Sequence, residues 1–486
     1  MSHQDSQGVA LDELFPAARQ AGPAGALARH AATDWRRIQP GDAYVALVDA
    51  ERDGHDDVDR ARRRGAVAII AEQFVLAGDL PVYVVEDTRI AYGELCHAMA
   101  GRPARQLRVV GVVGDQGKST VAALLEAIFT KAGCQVGLLS SLASVDGMSV
   151  GVGVAESLSP ATLANRLAHM DAAGCTHAIV ELSSIALAEH RLAGLELDTL
   201  VATRVDAKRL DVHNSPQNYR AALQRALDYL DPAGLAVVDA ADPVGCRWLA
   251  ELDAASLTYG LDERAQITAD IIQRSTCETV FVLVAGCESA AVRTTIVGDA
   301  HVSNCLAAAA VALAHGVDLQ TIAAALESIE RLPARMERID CGQDFALFVD
   351  AARAPGALRA TLRTARQLAR GRVICVLGDV PTAPLEAYAV RTIVEKLADV
   401  TILADDDQIS DKWLLSDEDR QRVQMAADRG EAIAWAVAVA EAGDVVVIAG
   451  SRGPTEGGFG LNEITDADAA REMLYARSHA TLRIAG

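Results

Sequence analysis

A glycine-rich segment from Gly114 to Thr120 contains the residues that could bind a nucleoside triphosphate. It reads Gly-Asp-Gln-Gly-Lys-Ser-Thr, which matches the short phosphate-loop form G-x-x-G-K-S/T. Glycines let backbone amides approach phosphate oxygens, and the start of a helix adds a favourable partial charge. The lysine would neutralise the β- and γ-phosphates, and the next hydroxyl could ligate Mg²⁺. The pattern predicts an ATP site at Gly114, Gly117, Lys118, Ser119 and Thr120.

Two predicted elements flank this segment in the order that a phosphate site requires. Residues 109–113 form an apolar run typical of a buried strand. Residues 119–132 carry apolar side chains at helical spacing, and Gly133 is a typical helix end. An ordinary turn between strand and helix would leave Lys118 unexplained, because the helix dipole disfavours a cation at that end. The setting therefore favours phosphate binding.

Composition describes an ordinary globular chain and excludes several classes of partner. Hydrophobic residues make up 51% of the 486 residues and charged residues 23%, so several cores can form. The net charge of −21 argues against a nucleic-acid binder, because neutralising phosphates needs clustered Lys and Arg. No apolar run approaches the ~18 residues of a membrane-spanning helix, and no secretory start is evident. The nine cysteines contain no C-x-x-C pair, so we expect a cytoplasmic protein without disulfides or membrane insertion.

Three blocks are expected along the chain, at residues 1–104, 105–332 and 333–486. The first mixes short strands and helices. The second alternates apolar strands with amphipathic helices, and the third repeats that pattern with a helix predicted at 351–370. Continuous apolar strands between such helices indicate parallel sheets covered on both faces. The sequence thus predicts an α/β protein with doubly wound sheets in its second and third blocks.

The segment 111–120 resembles the phosphate loop of the Mur ligase family, which reads close to G-V-T-G-T-N-G-K-T-T. Further segments that resemble family motifs follow in the family's order, at 33–42, 180–191, 298–304, 332–337 and 348–355. The resemblance extends from about residue 25 to 475 and is strongest to the branch that adds the third amino acid to UDP-N-acetylmuramoyl-dipeptide. It implies a UDP-sugar-binding-like first domain, a central P-loop domain for ATP, and a Rossmann-like third domain for the acceptor amino acid.

The resemblance also implies roles for individual residues. Glu181 would ligate Mg²⁺ with Ser119, and a carboxylate at the end of a parallel strand is independently well placed for a phosphate-bound cation. Contacts with the UDP-muramoyl-dipeptide are implied for Asp34, Ser183 and Arg191, and contacts with the nucleotide for Asn304, Arg335 and Asp350. Without the resemblance, Glu181 would be read as a solvated strand-end residue, and Asn304 and Arg335 as surface residues.

Several positions depart from the family pattern. The metal-binding histidine is replaced by Arg209, and the lysine that is carbamylated in the family is replaced by Leu223. Trp35 stands where the segment bordering the uridine pocket has a serine, and the acceptor motifs are altered at 404–408 and 450–454. Two metal-binding groups are thus replaced, so one Mg²⁺ site should be lost. Arg209 is then expected to act as a catalytic cation.

These observations predict an ADP-forming ligase, expected to be monomeric, that joins an amino acid to UDP-N-acetylmuramoyl-dipeptide. The reaction would pass through an acyl-phosphate, whose formation depends on cations and positioning more than on acid–base groups. Two alternatives stay open. One is a catalytically degenerate relative that binds nucleotide in a regulatory or binding role. The other is a different P-loop enzyme, such as a small-molecule kinase.

Overall fold

The computed structural model describes residues 8–49, 52–154, 158–205, 213–378, 384–404, 423–451 and 465–484. Three large sheets follow one another along the described chain, with five, eleven and six strands. Most strand pairs in them are parallel, and helices connect successive strands. The predicted α/β class with parallel sheets is therefore confirmed.

The first sheet lies in the N-terminal part of the chain. In spatial order its strands are Arg19–Ala21, Val82–Val84, Ala68–Ala71, Asp42–Val45 and His30–Ala32, with only the first pair antiparallel. Two short strands, Val9–Ala10 and Leu27–Ala28, pair separately. The accompanying helices are Leu11–Leu14, Val58–Arg63 and Thr88–Met99, with 3-10 turns at Trp35–Arg37, Gly54–Asp57 and Pro103–Arg105. The Asp87 carboxylate caps the longest helix by accepting a hydrogen bond from the Arg89 amide at 2.8 Å.

The second sheet forms the centre of the molecule. In spatial order its strands are Val150–Val152, Ala143–Val145, Val136–Leu139, His177–Glu181, Arg108–Val113, Leu197–Ala202, Leu230–Asp239, Ala255–Tyr259, Ile267–Arg274, Thr279–Ala285 and Glu288–Thr294. The strands from Val136–Leu139 to Ile267–Arg274 are parallel, and antiparallel hairpins extend both edges. Such an arrangement brings the carboxyl ends of the parallel strands to one edge.

Helices cover both faces of this central sheet. They are Lys118–Lys131, Pro160–Ala172, Ser184–Ala188, Pro216–Gln224, Pro243–Glu251, Asp299–Ala314 and Leu319–Ser328, with a 3-10 turn at Arg225–Tyr229. One apolar core contains Leu124 and Phe129 of the first of these helices, and the opposite core contains Leu163 and Leu223. Two cores explain why the parallel strands are apolar throughout, because neither face meets water.

The third sheet has the order Glu337–Arg338, Ala346–Asp350, Val445–Ala449, Val373–Leu377, Val400–Ala404 and Val423–Ala426, with only the first pair antiparallel. Its helices are Pro355–Leu368, Pro384–Leu397, Arg429–Val439 and Asp466–Ile484. Ile296 and Val297 of the central part share a core with Phe348, so the second and third sheets are packed through a common apolar contact. Within the described ranges, no helix is long and apolar enough to cross a membrane.

Candidate nucleotide-binding site

Three neighbouring strands end together at the carboxyl edge of the central sheet. Parallel pairing places Val112 beside Glu181 and Val113 beside Ala202. The chain then continues from these strands into the glycine-rich loop, the helix Ser184–Ala188 and Thr203. The phosphate loop and Glu181, which are far apart in sequence, therefore lie at the same edge.

The glycine-rich loop has a shape that only glycine allows at two positions. Gly114 has a φ of 134° and Gly117 a φ of 88°, both in the region that side chains disfavour. A β-carbon at Gly114 would collide with the Thr203 hydroxyl, and one at Gly117 with the side-chain oxygen of Asn304. Asn304, predicted to lie near the nucleotide, is thus in contact with the loop.

Lys118 and Thr120 follow the loop at the start of the helix Lys118–Lys131. The Lys118 ammonium donates a hydrogen bond to the Gly114 carbonyl oxygen at 2.8 Å, which holds it against the loop. Thr120 is buried. The positive charge is therefore held beside the loop amides, as a site for phosphate oxygens requires.

A hydroxyl–carboxylate cluster lies beside the loop. The Ser119 hydroxyl donates to Glu181 Oε1 at 3.2 Å and lies 2.7 Å from the Ser141 hydroxyl. Glu181 Oε2 accepts from the Ser141 amide at 2.8 Å and from the Ser141 hydroxyl at 3.0 Å. Glu181 and Ser119 are each only 6% exposed. Ser141 was not predicted, although its place two residues after the apolar run 136–139 is a signal that could have identified it.

The cluster fits Mg²⁺ rather than a softer metal. Its atoms are oxygens, and Mg²⁺ is commonly held by one or two carboxylates together with substrate phosphates and water. Along the described segments, no group of three or more His, Cys, Asp or Glu side chains could hold a metal alone. In the same residues no ion pair joins Glu181 to a basic side chain. Phosphate-assisted binding of the cation is therefore the chemistry that these residues suit.

The helix Pro216–Gln224 carries no metal-binding side chain at the position where the resemblance places one. Leu223 is fully buried in the apolar core that also contains Leu182 and Leu197. One turn earlier, the Tyr219 hydroxyl donates a hydrogen bond to the Asp115 carboxylate of the loop, a contact that was not predicted. Arg209, the predicted catalytic cation, lies outside the described residues.

Ser183 and Arg191, predicted to contact the muropeptide, flank the helix that follows Glu181. The Ser183 hydroxyl caps that helix by accepting a hydrogen bond from the Ala186 amide at 3.1 Å. The Arg191 side chain donates to the Glu189 carboxylate at 2.6 Å. Both side chains thus make hydrogen bonds to residues of their own segment, and their contact with substrate stays a prediction.

Arg335 and Asp350 form a second group where the third sheet begins. Ala334 and Met336, on either side of Arg335, have φ values of 51° and 47°, which are strained for residues with side chains. The Asp350 carboxylate accepts hydrogen bonds from the Met336 amide at 2.7 Å and the Ala352 amide at 2.9 Å. Burial raises the pKa of Asp350, while the charge of Arg335 opposes that increase. Asp350 therefore anchors the segment that presents Arg335, and the nucleotide contacts of both stay predictions.

Asp34 and Trp35 lie in a 3-10 turn of the N-terminal part. The Asp34 carboxylate accepts a hydrogen bond from the Arg36 amide at 2.9 Å, which lowers the pKa of Asp34. The Arg36 and Arg60 guanidinium groups both lie over the Trp35 ring, at 5.1 and 5.4 Å from its centroid. The tryptophan thus contacts two arginines, and the contact of Asp34 with the UDP-muramoyl-dipeptide stays a prediction.

The altered acceptor motifs at 404–408 and 450–454 lie largely outside the described residues. The described ranges there are 384–404, 423–451 and 465–484. A cation, Arg429, lies at that edge of the third sheet. Arg429 donates to the Ala449 carbonyl oxygen at 2.8 Å and pairs with Asp466 at 2.9 Å. Its Nη1 atom is buried beside Gly378 and has no hydrogen-bond partner among the described residues. Sequence reasoning missed Arg429 because only the fold brings it to this edge.

Comparison with known proteins gives matches along most of the chain. The family described as "Mur ligase middle domain" matches residues 112–312, and that described as "Mur ligase, glutamate ligase domain" matches residues 334–452. A UDP-N-acetylmuramoyl-L-alanyl-D-glutamate--2,6-diaminopimelate ligase of Geobacillus kaustophilus is 35% identical over 438 residues, covering 86% of this chain and 88% of that protein. A UDP-N-acetylmuramyl-tripeptide synthetase of Roseiflexus sp. is 32% identical, again covering 86% and 88%.

Solved structures show the same fold at lower identity. A UDP-N-acetylmuramoyl-L-alanyl-D-glutamate--2,6-diaminopimelate ligase has a TM-score of 0.72 at 23% identity, covering 97% of this chain and 100% of that one. The MurF ligase of Thermotoga maritima, solved in complex with ADP, has a TM-score of 0.63 at 18% identity, covering 93% and 98%. The architecture is thus shared over nearly the full length of both proteins.

Proposed function

The chain belongs to the Mur ligase family, and we propose that it is an ATP-dependent ligase of peptidoglycan precursor synthesis. Its substrates would be UDP-N-acetylmuramoyl-dipeptide and an amino acid, which it would join by an amide bond. The observation that carries the proposal is the contact between the phosphate loop and the Ser119–Ser141–Glu181 cluster at one sheet edge. Relatives whose names specify this reaction align with 86% of the chain.

The reaction has two steps with defined products. The γ-phosphoryl group of ATP is transferred to the dipeptide carboxylate, which gives ADP and an acyl-phosphate. The amine of the amino acid then attacks the acyl carbon, phosphate leaves, and the nitrogen loses a proton. In the first step the loop amides and Lys118 bind the phosphate oxygens and orient the γ-phosphorus. Side-chain proton transfer is not needed at this loop, which is consistent with its content of amides, a cation and hydroxyls.

We propose that Ser119, Ser141 and Glu181 hold the single Mg²⁺ that accompanies ATP. When bound, this ion neutralises charge on the β- and γ-phosphates. Ser119 and Glu181 are buried and already hydrogen-bonded to each other, so the cluster would be largely preformed. Binding would then need the Ser119 hydroxyl to turn an oxygen lone pair toward the ion.

We also propose an altered metal site, on the basis of Leu223. A leucine in the apolar core offers no ligand, so a second cation would lack a support that the family resemblance implies. We propose that Arg209 supplies positive charge in its place. Loss of transition-state charge stabilisation typically costs about 10²–10³ in rate, so turnover should be slow compared with relatives that keep the lysine.

The amino acid would bind at the carboxyl edge of the third sheet. Ligands of open parallel sheets bind at that edge, and the buried Nη1 of Arg429 offers a donor that has no acceptor among the described residues. The carboxylate of an amino acid is a suitable acceptor for a guanidinium group. The side chain of that amino acid stays open, because the segments 404–408 and 450–454 depart from the acceptor motifs that the family resemblance implies.

The deciding experiment supplies the purified protein with ATP, Mg²⁺, UDP-N-acetylmuramoyl-dipeptide and a pool of amino acids. Phosphate release that needs both the dipeptide and the pool, with a product of the summed mass less water, supports the ligase. The Lys118→Ala variant serves as the control for contaminating ATPase activity. ADP formation without amide formation, and with phosphate on the second substrate, would indicate a kinase.

A second candidate, a nucleotide-binding protein without ligase activity, is favoured by the apolar setting of Leu223. It makes a different prediction in the same assay. ATP would raise the melting temperature of the protein, yet no amino acid in the pool would cause phosphate to be released. Those two results together would reject the ligase and support a nucleotide-binding protein without ligase activity.

A further inference from the structure

The phosphate loop contains a negative charge in an unexpected place. Asp115 lies between Gly114 and Gly117, the two glycines whose conformations open the loop toward a ligand. A carboxylate that faced bound phosphates would repel them, and the repulsion is stronger at a partly buried site than in water. Binding of ATP in the proposed function therefore requires that this carboxylate be directed elsewhere.

The Asp115 carboxylate is held by a residue from a distant part of the chain. The Tyr219 hydroxyl donates a hydrogen bond to Asp115 Oδ1. Tyr219 is only 2% exposed, and the His213 ring packs edge-on against it with centroids 5.2 Å apart. The phenol is thus enclosed, and its hydroxyl is presented to the loop in one orientation.

The helix that carries Tyr219 is itself firmly placed. It begins at Pro216 after Ser215, whose hydroxyl accepts a hydrogen bond from the Asn218 amide at 3.1 Å. Leu223, one turn after Tyr219, is fully buried in the core of the central domain. Apolar packing at Leu223 therefore sets the position of the helix and, with it, the position of the Tyr219 hydroxyl.

The backbone of Asp115 is fixed from a second direction. Its amide donates a hydrogen bond to the Arg204 carbonyl oxygen at 2.9 Å, and the Thr203 amide donates to the Val113 carbonyl oxygen at 2.8 Å. With the main chain held in this way, the Asp115 carboxylate can change direction only by rotation about the side-chain bonds. The Tyr219 hydrogen bond restricts those rotations and selects one direction for the carboxylate.

We propose that Tyr219 is a positioning residue of the nucleotide site, which holds the Asp115 carboxylate away from the phosphates. The helix that in other family members is expected to support a metal would here support the loop instead. The inference rests on the nucleotide binding of the proposed function, but it does not depend on ligation.

The test measures the affinity of the full-length protein for MgATP by calorimetry. Tyr219→Phe keeps the ring and its packing but removes the hydroxyl, so the Kd should rise about tenfold, as expected for loss of a hydrogen bond to a charged group. Tyr229→Phe, a matched change on the neighbouring 3-10 turn, should leave the Kd unchanged. The melting temperature without nucleotide reports any effect on folding.

A double-mutant cycle separates this role from a structural one. Asp115→Asn removes the charge but keeps an oxygen that can accept from Tyr219. On that background Tyr219→Phe should change the Kd by less than about twofold, because no charge remains to be held away. An equal tenfold loss on both backgrounds would overturn the proposal, as would wild-type affinity in Tyr219→Phe.

A second variant covers the case in which Tyr219→Phe does not fold. Asp115→Glu adds one methylene group, which moves the carboxylate away from the position where it accepts the Tyr219 hydrogen bond. This variant should also bind MgATP several-fold more weakly. Unchanged binding would count against the proposal. If the wild type fails to bind MgATP, the proposed function fails and the role of Tyr219 fails with it. If the wild type binds and Tyr219→Phe binds equally well, only the role of Tyr219 is rejected.

Discussion

The side-chain oxygen of Asn304 occupies the space that a β-carbon on Gly117 would need. Asn304 lies on the helix Asp299–Ala314, whereas Gly117 directly precedes the helix Lys118–Lys131 as its N-cap. The two helices are packed together in the same core, so this contact is fixed by their packing. The shape of the phosphate loop therefore depends on glycine at 117 and on the helix that carries Asn304.

Gly117→Ala should greatly weaken ATP binding, because the new methyl group must displace Asn304 or the loop. Gly133→Ala is the matched control, since Gly133 follows the other end of the same helix with a φ of 85° and open space around it. Both variants should lose about 1–2 kcal/mol of stability from the left-handed backbone. Calorimetric titration with MgATP should show lost affinity in Gly117→Ala alone, and equal affinity in the two variants would contradict the contact.

Lys118→Ala should abolish the rise in melting temperature that ATP and Mg²⁺ cause in the wild type. A ligand at one hundred times its Kd stabilises a protein by about 2.7 kcal/mol, which is readily measured as a melting shift. Lys131→Ala removes the exposed lysine at the far end of the same helix and should keep the full shift. A normal shift in Lys118→Ala would show that ATP binds elsewhere.

Glu181→Gln should reduce the dependence of ATP binding on Mg²⁺. The amide keeps the size of the side chain and can still accept from the Ser119 hydroxyl, but it removes the charge that a cation requires. Affinity for ATP, measured without Mg²⁺ and at increasing Mg²⁺ concentrations, should rise steeply in the wild type and weakly in the variant. Glu126→Gln on the helix after the loop should behave as the wild type. A steep rise in Glu181→Gln would remove Glu181 from the metal site.

Leu223→Lys should destabilise the protein rather than restore a metal ligand. A fully buried ammonium group without a partner typically costs about 3–5 kcal/mol. Leu223→Met, which keeps the volume, should cost less than about 1.5 kcal/mol. Urea unfolding measures both, and a Leu223→Lys variant as stable as the wild type would mean that the core can admit a charged side chain at this helix.

Acid should destabilise the protein through buried histidines. Burial lowers the pKa of His97 to about 4, with the charge of Arg102 acting in the same direction, and neither ring nitrogen has a partner among the described residues. Because the folded pKa lies below the unfolded value of about 6.5, the folded state binds fewer protons, and stability falls as the pH decreases from 6.5 toward 4. His97 alone should contribute up to about 2 kcal/mol of loss between pH 7 and pH 5.

The measurement is urea unfolding of the wild type and His97→Phe at both pH values. The variant should lose less stability on acidification, since it has no ring to protonate at that position. His177, His301 and His315, whose pKa values burial also lowers to about 4, will still contribute in both proteins. Identical losses in wild type and variant would show that His97 is not protonated on unfolding in this range.

Elements defined by local pattern were predicted well. The strand expected at 109–113 is observed at Arg108–Val113, and the helix expected at 351–370 is observed at Pro355–Leu368. The helix start differs because Pro355 occupies its first turn, where proline is favoured, and Ala354 before it is extended with a ψ of 144°. Such boundaries depend on backbone details that apolar periodicity does not encode.

By itself the sequence determined the phosphate loop, the strand and helix around it, and a carboxylate at the end of a neighbouring strand. Each of these depends on residue types at short spacing, which set local backbone geometry and charge. Only the tertiary structure decided that Ser141 binds Glu181 across 40 residues and that Tyr219 binds Asp115 across 104. These contacts arise because parallel strands joined by crossover helices bring distant segments to one edge, and no local pattern specifies which side chains meet there.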